Sequence, residues 1–154
     1  MVKKRVYVIS AFPGLGKSYA TKQMIERGIP VSDSDSSQFP KENFPANYIR
    51  HIKNKISEFS YYPGNSFIFV SSHKEVRDAL IAEDISFYLF YPHLKDKQKL
   101  IDRYIERRSP KIFINLISYH FEEWVNEISN DDNIKMKYQT SDFIYDIIRR
   151  SIDL

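Results

Sequence analysis

The feature that most constrains the fold is an apolar run followed at once by a glycine-rich loop and a helix-compatible stretch. The run VYVI at 6–9 is β-branched and aromatic, which is typical of a buried strand. The loop AFPGLGKS at 11–18 matches the pattern G-x-x-x-x-G-K-[ST], with Ala11 in the first position. A helix-compatible segment occupies 19–26. Strand, loop and helix therefore come in the order that a phosphate-binding loop requires.

The residue types in this loop are those that hold a triphosphate. Gly14 and Gly16 allow successive backbone N–H groups to turn inward and form an anion nest. The N-terminus of the following helix adds partial positive charge. Lys17 can reach the β- and γ-phosphates, and the Ser18 hydroxyl can ligate Mg²⁺. We expect a nucleoside triphosphate to be bound by Pro13, Gly14, Leu15, Gly16, Lys17, Ser18 and Tyr19.

Length and composition limit the classes of function. With 154 residues, 42% of them hydrophobic and 28% charged, the chain is predicted to form one domain over 1–154. The absence of cysteine excludes disulfides and cysteine metal sites and fits a cytoplasmic location. No apolar run is long enough to cross a membrane, and no signal peptide is expected. The net charge of +3 is too small to indicate a polynucleotide partner and is compatible with an anionic substrate.

The rest of the chain alternates strand-like and helix-like segments. Further strands are predicted at 29–32, 66–71, 85–91 and 134–138, and the run at 66–71 is apolar enough to be central. Helices are predicted at 46–59, 74–83, 95–108 and 111–129, with Ser141 and Asp142 capping a last one. This alternation implies an α/β fold with a parallel sheet, in which ligands bind at the carboxyl ends of the strands.

Asp33 and Asp35 are expected where the second strand ends. A period of two places both carboxylates on the same side of an extended chain. One could hold Mg²⁺ through water, and the other could orient an acceptor hydroxyl or phosphate during phosphoryl transfer. The alternative is an acidic, serine-rich turn. The third strand ends in VSSH at 70–73 without a carboxylate, so metal binding would depend mainly on Ser18 and Asp33.

Two groups of residues could recognise an acceptor. Arg77, one helical turn after His73, could bind an acceptor phosphate as a fork, while His73 could hydrogen-bond the acceptor. The alternative for Arg77 is a solvated side chain on a helix. In the segment 33–60, Phe39 and Tyr48 could stack on a base, although each ring could equally lie in the core.

Arg103 and Arg107 lie one turn apart on a predicted helix face, just before the break at Ser109-Pro110. As part of a lid over about 103–115, two guanidiniums closing over the γ-phosphate would stabilise transition-state charge and exclude water. The alternative is a solvated basic helix face that also carries nearby lysines.

Together, these motifs resemble the small P-loop kinases, which include nucleoside monophosphate kinases, shikimate kinase and gluconate kinase. The element DSD at 33–35 is most similar to the shikimate and gluconate members, in which the first Asp serves the metal and the second the acceptor. The wider pattern DSDSS…FPxNY…VSSH…RYxxR is similar to phage-encoded nucleotide kinases. The resemblance implies a five-stranded sheet in the order 2-3-1-4-5 with helices on both faces. It also implies ATP on the loop and an acceptor between 33–60 and 71–77.

The leading hypothesis is an ATP- and Mg²⁺-dependent kinase whose acceptor is a nucleotide, in particular a (deoxy)nucleoside monophosphate, in a monomer or homodimer. The catalytic residues would be Lys17, Asp35, Arg103 and Arg107. The acceptor contacts would be Asp33, Asp35, Phe39, Tyr48, His73 and Arg77, with Ser18 and Asp33 on the metal. One alternative is a kinase for a hydroxyl on a modified DNA base or a small metabolite, and only this alternative would involve nucleic acid. Another is a nucleotide-binding module without transfer activity, although the paired arginines favour transfer.

Overall fold

Among the described residues, five parallel strands form one sheet. The computed structural model describes residues 5–152 and 154. The strands are β1 (Val6–Ala11), β2 (Val31–Ser34), β3 (Ser66–Val70), β4 (Tyr88–Tyr91) and β5 (Lys137–Gln139). Their order in the sheet is β2-β3-β1-β4-β5, and every neighbouring pair is parallel. The predicted α/β class and strand order are confirmed.

In the described part of the chain, six α-helices connect or follow the strands. They are α1 (Lys17–Glu26), α2 (Ala46–Phe59), α3 (Lys74–Ala82), α4 (Lys97–Glu106), α5 (Lys111–Ser129) and α6 (Ile144–Ser151). Helix α1 packs against α6, α2 against α3, and α4 against α5. Among residues 5–152 and 154, no helix combines the length and the apolar character that crossing a membrane requires.

The core is centred on β1 and β3. All five residues of β3 are buried, and β3 pairs with both β1 and β2, as its continuous apolar sequence predicts. In β1 the buried stretch is the last four residues, which lead into the loop. Full burial of a side chain such as Phe67 or Ile68 contributes about 1.5–3 kcal/mol, so these two strands form a rigid base for the loop.

Two strands are shorter than their apolar segments suggest. Strand β4 begins at Tyr88 rather than at residue 85, because the N–H of Ile85 closes the end of α3 by donating to Leu80 O across 2.9 Å. Asp84 has a φ of 58° in the same turn. Strand β5 begins at Lys137 rather than at 134, because the N–H of Ile134 donates to Asp131 O in a turn. In both places a local turn takes the backbone group that the strand would have used.

Candidate functional site

The loop between β1 and α1 has the conformation that its glycines predict. Gly14 and Gly16 have φ values of 97° and 86°. A Cβ on Gly14 would lie 2.6 Å from Leu100 Cδ1, and one on Gly16 would lie 2.7 Å from Phe143 Cδ1. Both conformation and space therefore require glycine here. Helix α1 begins at Lys17, so its unpaired N–H groups lie at the loop and favour an anion.

Lys17 is half-buried behind the loop, and its Nζ donates a hydrogen bond of 2.9 Å to Ala11 O. Desolvation lowers the pKa of Lys17 to about 8, the nearby Asp33 and Asp35 oppose this shift, and Arg107 adds to it. A single carbonyl leaves most of the donor capacity of an ammonium group unused. The side chain is therefore placed to bind phosphate oxygens on the loop.

The two predicted metal ligands lie together. Ser18 Oγ donates a hydrogen bond of 3.1 Å to Asp33 Oδ2, and both side chains are exposed at the carboxyl edge of the sheet. A hydroxyl and a carboxylate are oxygen donors of the kind Mg²⁺ uses, and the ion takes its remaining ligands from water and substrate phosphates. The pair therefore fits a magnesium ion shared with a bound triphosphate.

Asp35 is held with one carboxylate oxygen free. Its Oδ1 accepts hydrogen bonds from the backbone N–H and the hydroxyl of Ser37, at 2.9 and 2.8 Å. Its Oδ2 accepts none from any residue that the structure describes. The Ser71 hydroxyl donates a hydrogen bond of 2.7 Å to the hydroxyl of Ser36, the next residue. This bond connects the end of β2 to the end of β3. Asp35 is thus fixed in orientation and able to accept a proton or a hydrogen bond from a ligand.

His73 lies three residues after the end of β3, just before α3. Desolvation lowers the pKa of His73, and the charges of Lys17 and Arg77 lower it further, while that of Asp35 opposes the shift. These couplings place His73 in the same electrostatic neighbourhood as Lys17 and Asp35. At neutral pH the imidazole is therefore uncharged and can donate or accept one hydrogen bond toward a ligand.

The predicted stacking role of Tyr48 needs correction. The Tyr48 ring is fully buried, with its hydroxyl donating to Ser34 O at 2.5 Å and accepting from the Ser71 N–H at 3.2 Å. Burial raises the pKa of Tyr48 to about 12. Phe39 is half-buried and packs edge-on against Tyr48, with 5.1 Å between ring centroids. Tyr48 therefore supports β2 and β3 from the core, and the part of this pair that can face a ligand is Phe39.

The predicted role of Arg77 also needs correction, because its guanidinium is not free to bind an acceptor phosphate through two nitrogens. The side chain is buried, with 1% of the residue exposed. Its Nη1 donates to Ser72 O at 2.7 Å, and its Nη2 donates to Glu127 Oε1 at 2.9 Å and lies 3.6 Å from Asp131 Oδ2. The guanidinium is neutralised by two carboxylates on and just after α5, so it is part of the scaffold beside the site.

The two predicted lid arginines have different surroundings. Arg103 donates to Gly14 O at 2.9 Å and Ser141 O at 2.6 Å, and its guanidinium lies 4.2 Å from the ring centroid of Phe143. Arg103 is therefore bonded to the outside of the loop. Arg107 is exposed, donates to Ser109 Oγ, and lies close enough to Lys17 to affect its pKa. Of the two arginines, Arg107 is thus the one with an exposed side chain close to Lys17.

Sequence reasoning missed a cavity of about 560 Å³ that adjoins the loop. The cavity is in the usual size range for ligand pockets. Residues from α1, α4 and the start of α6 line it together with the loop glycines, and Tyr19 and Phe143 supply aromatic surface. Phe143 could have been found from the rule that ligands gather at strand ends, because it follows β5 by four residues.

Comparisons with models of known protein families and with curated proteins find no match. Among solved structures, the chain is similar to a gluconokinase from Sinorhizobium meliloti 1021, with a TM-score of 0.56 and 15% identity over 96% of this chain and 89% of that chain. An uncharacterized protein from Eubacterium ventriosum ATCC 27560 aligns over 98% of this chain and 99% of that chain, with a TM-score of 0.49 and 12% identity. The first similarity, together with the strand order, shows that this chain shares the α/β fold of that gluconokinase.

Proposed function

We propose that this protein is an ATP-dependent phosphotransferase that moves the γ-phosphoryl group to a small-molecule acceptor. The observation that carries the proposal is the meeting of the Ser18–Asp33 pair, Lys17 and Asp35 at one edge of the sheet. A site that only binds a triphosphate and its metal ion needs Lys17, Ser18 and Asp33 but not Asp35. A second carboxylate, oriented and with a free oxygen, is what an acceptor requires.

Each residue has a defined task in this reaction. Lys17 and the loop N–H groups bind the β- and γ-phosphates, and Ser18 and Asp33 hold Mg²⁺, which neutralises phosphate charge when bound. Asp35 orients the acceptor and accepts its proton. The acceptor oxygen bonds to the γ-phosphorus while the bond from that phosphorus to the β–γ bridging oxygen breaks, which releases ADP. Arg107 contributes positive charge from the lid.

The acceptor predicted from the sequence is a nucleoside monophosphate, and a hydroxyl acceptor is the second candidate. The ion pairs of Arg77 favour the second, because the cation expected to hold an acceptor phosphate already neutralises Glu127 and Asp131. A phosphate at this place would meet the exposed Asp33 and Asp35, whereas an uncharged hydroxyl would meet no like-charge repulsion. We therefore favour a hydroxyl, on a nucleoside, a modified base or a small metabolite.

A screen of acceptors tests both the phosphotransfer activity and the preference for a hydroxyl acceptor. The protein is incubated with Mg²⁺ and γ-labelled ATP, together with nucleoside monophosphates, nucleosides, modified DNA, polyols or sugar acids, and labelled products are identified. We expect transfer that falls at least 100-fold in Lys17→Ala and is unchanged in Lys22→Ala, an exposed lysine of α1. Binding of ATP without any labelled product across the panel would contradict phosphotransfer. Products confined to the phosphates of nucleoside monophosphates would contradict only the hydroxyl acceptor.

A further inference from the structure

We propose that Tyr104 is a positioning residue, whose hydroxyl sets the shape of the phosphate-binding loop and whose ring holds Arg107 beside that loop. The inference rests on the proposed function, because it concerns the same nucleotide site. It goes beyond that function by assigning a role to a residue that faces the back of the loop.

Three consecutive carbonyl groups of the loop are held from behind. Pro13 O accepts a hydrogen bond of 2.5 Å from the Tyr104 hydroxyl. The next two carbonyls accept bonds of 2.9 Å each: Gly14 O from Arg103 and Leu15 O from the N–H of Ile144. Helices α4 and α6 therefore bind every carbonyl between Pro13 and Leu15.

These bonds determine where the loop N–H groups point. In a trans peptide the C=O and the following N–H lie in one plane and point in opposite directions. Because Tyr104 holds the Pro13 carbonyl toward α4, the N–H of Gly14 is turned to the opposite side. The bond from Ile144 to Leu15 O turns the N–H of Gly16 in the same way. Inward N–H groups are what makes the loop an anion nest.

The Tyr104 hydroxyl is confined to this role by its surroundings. The side chain is fully buried, and a Cβ on Gly14 would lie 2.8 Å from Tyr104 Cε1, so the ring packs directly under the loop. Burial raises the pKa of the Tyr104 hydroxyl well above its usual range, which keeps it protonated as a donor. Without the hydroxyl, the Pro13 carbonyl would lose the bond that fixes its direction.

The same ring also positions the lid arginine. The Arg107 guanidinium carbon lies 5.1 Å from the centroid of the Tyr104 ring and 5.8 Å from that of Phe113, a geometry that allows cation–π attraction. Phe113 in turn packs edge-on against Tyr104. The loop and the lid arginine therefore both contact Tyr104, the loop through its hydroxyl and Arg107 through its ring.

Tyr104→Phe distinguishes the role of the hydroxyl from that of the ring, because it removes the hydroxyl and keeps the ring. Binding of ADP and of AMP, each with Mg²⁺, is measured by calorimetry, along with the melting temperature. We expect Tyr104→Phe to weaken ADP binding about fivefold, the typical worth of one hydrogen bond, while AMP binding changes less than twofold. The reason is that AMP has no β-phosphate for the nest to hold. The KM for ATP should rise in parallel, with kcat within threefold of the wild-type value.

Tyr104→Leu removes both parts, and we expect a further fall in kcat of at least tenfold. Tyr119→Phe, at a residue of α5 that is 83% exposed, is the matched control and should change neither affinity. ADP binding by Tyr104→Phe equal to that of the wild type overturns the proposal, as does equal weakening of ADP and AMP, which indicates a merely structural role. Wild-type protein that fails to prefer ADP over AMP contradicts instead the proposed nucleotide site.

Discussion

The backbone N–H of Ile144 donates a hydrogen bond of 2.9 Å to the carbonyl oxygen of Leu15, and so joins the first residue of α6 to the phosphate-binding loop. Ser141 and Asp142 do not cap α6 as their types predict, because Phe143 stands at the cap position and the Ser141 hydroxyl accepts a hydrogen bond from the His93 N–H. In the described part of the chain, no side chain caps this helix. The loop satisfies a helix N–H that would otherwise need a cap. In return, α6 brings Phe143 against Gly16.

Because Lys17 is charged only in its protonated form, we expect nucleotide affinity to fall as the pH rises. Because the pKa of Lys17 is lowered to about 8 in the free protein, the ammonium is charged below this pH and increasingly neutral above it. Bound phosphates favour the charged form and raise the pKa. We expect nucleotide affinity to fall as pH rises from 7.5 to 9.5, with proton uptake on binding that is largest near pH 9.

Calorimetry of ADP binding in buffers of different ionisation enthalpy measures this uptake directly. Lys17→Arg is the matched variant, because a guanidinium stays charged throughout the range. Its proton uptake should be close to zero even if its affinity is low. Equal proton uptake in Lys17→Arg and the wild type would show that another group titrates.

Substitutions of Asp33 and Asp35 should differ in their effect on the Mg²⁺ concentration that the reaction requires. Asp33→Asn weakens the Ser18–Asp33 pair as a metal site, so we expect the Mg²⁺ concentration for half-maximal rate to rise at least tenfold. Asp35→Asn keeps an oxygen but loses the base, so kcat should fall about 10²–10⁴-fold with the Mg²⁺ requirement unchanged. Measuring the rate as a function of Mg²⁺ concentration at saturating ATP distinguishes the two variants. If Asp35→Asn, and not Asp33→Asn, raised the Mg²⁺ concentration for half-maximal rate, Asp35 would be the metal ligand and the assignment would be reversed.

Much of this arrangement is predictable from the sequence, for local reasons. The loop motif, the parallel sheet and the proximity of Ser18 to Asp33 follow from short motifs and the alternation of strands with helices, whereas the strand order is implied only by the resemblance to small P-loop kinases. The buried positions of Tyr48 and Arg77 do not follow, because they depend on side chains remote in the sequence. Arg77 is neutralised by Glu127, fifty residues away. Sequence spacing places such a residue on a helix but does not reveal which distant carboxylate will meet it.

Arg77 should matter for stability more than for nucleotide binding. Removal of one partner from a buried ion pair costs about 3–5 kcal/mol, and the partial exposure of Glu127 reduces this, so we expect Arg77→Met to lower the free energy of unfolding by about 2–3 kcal/mol. Urea unfolding followed by circular dichroism measures the change. Arg50→Met, at an exposed arginine of α2, should cost less than about 0.5 kcal/mol. ADP affinity should be unchanged in both variants, and loss of ADP binding by folded Arg77→Met would contradict a scaffold role.

Arg103 and Arg107 should differ in which kinetic constant they affect. Arg107→Ala removes a charge close to Lys17, which in the proposed function stabilises the transferring phosphoryl group, so kcat should fall about 10²–10³-fold with ADP affinity within threefold of the wild type. Arg103→Ala frees the Gly14 carbonyl and should instead weaken ADP binding about tenfold, with a smaller effect on kcat. Steady-state kinetics and ADP calorimetry on both variants, with exposed Lys99→Ala as the control, provide the comparison. If Arg103→Ala lost kcat while binding ADP normally, Arg103 would act on the transferring phosphoryl group, as the sequence alone predicts.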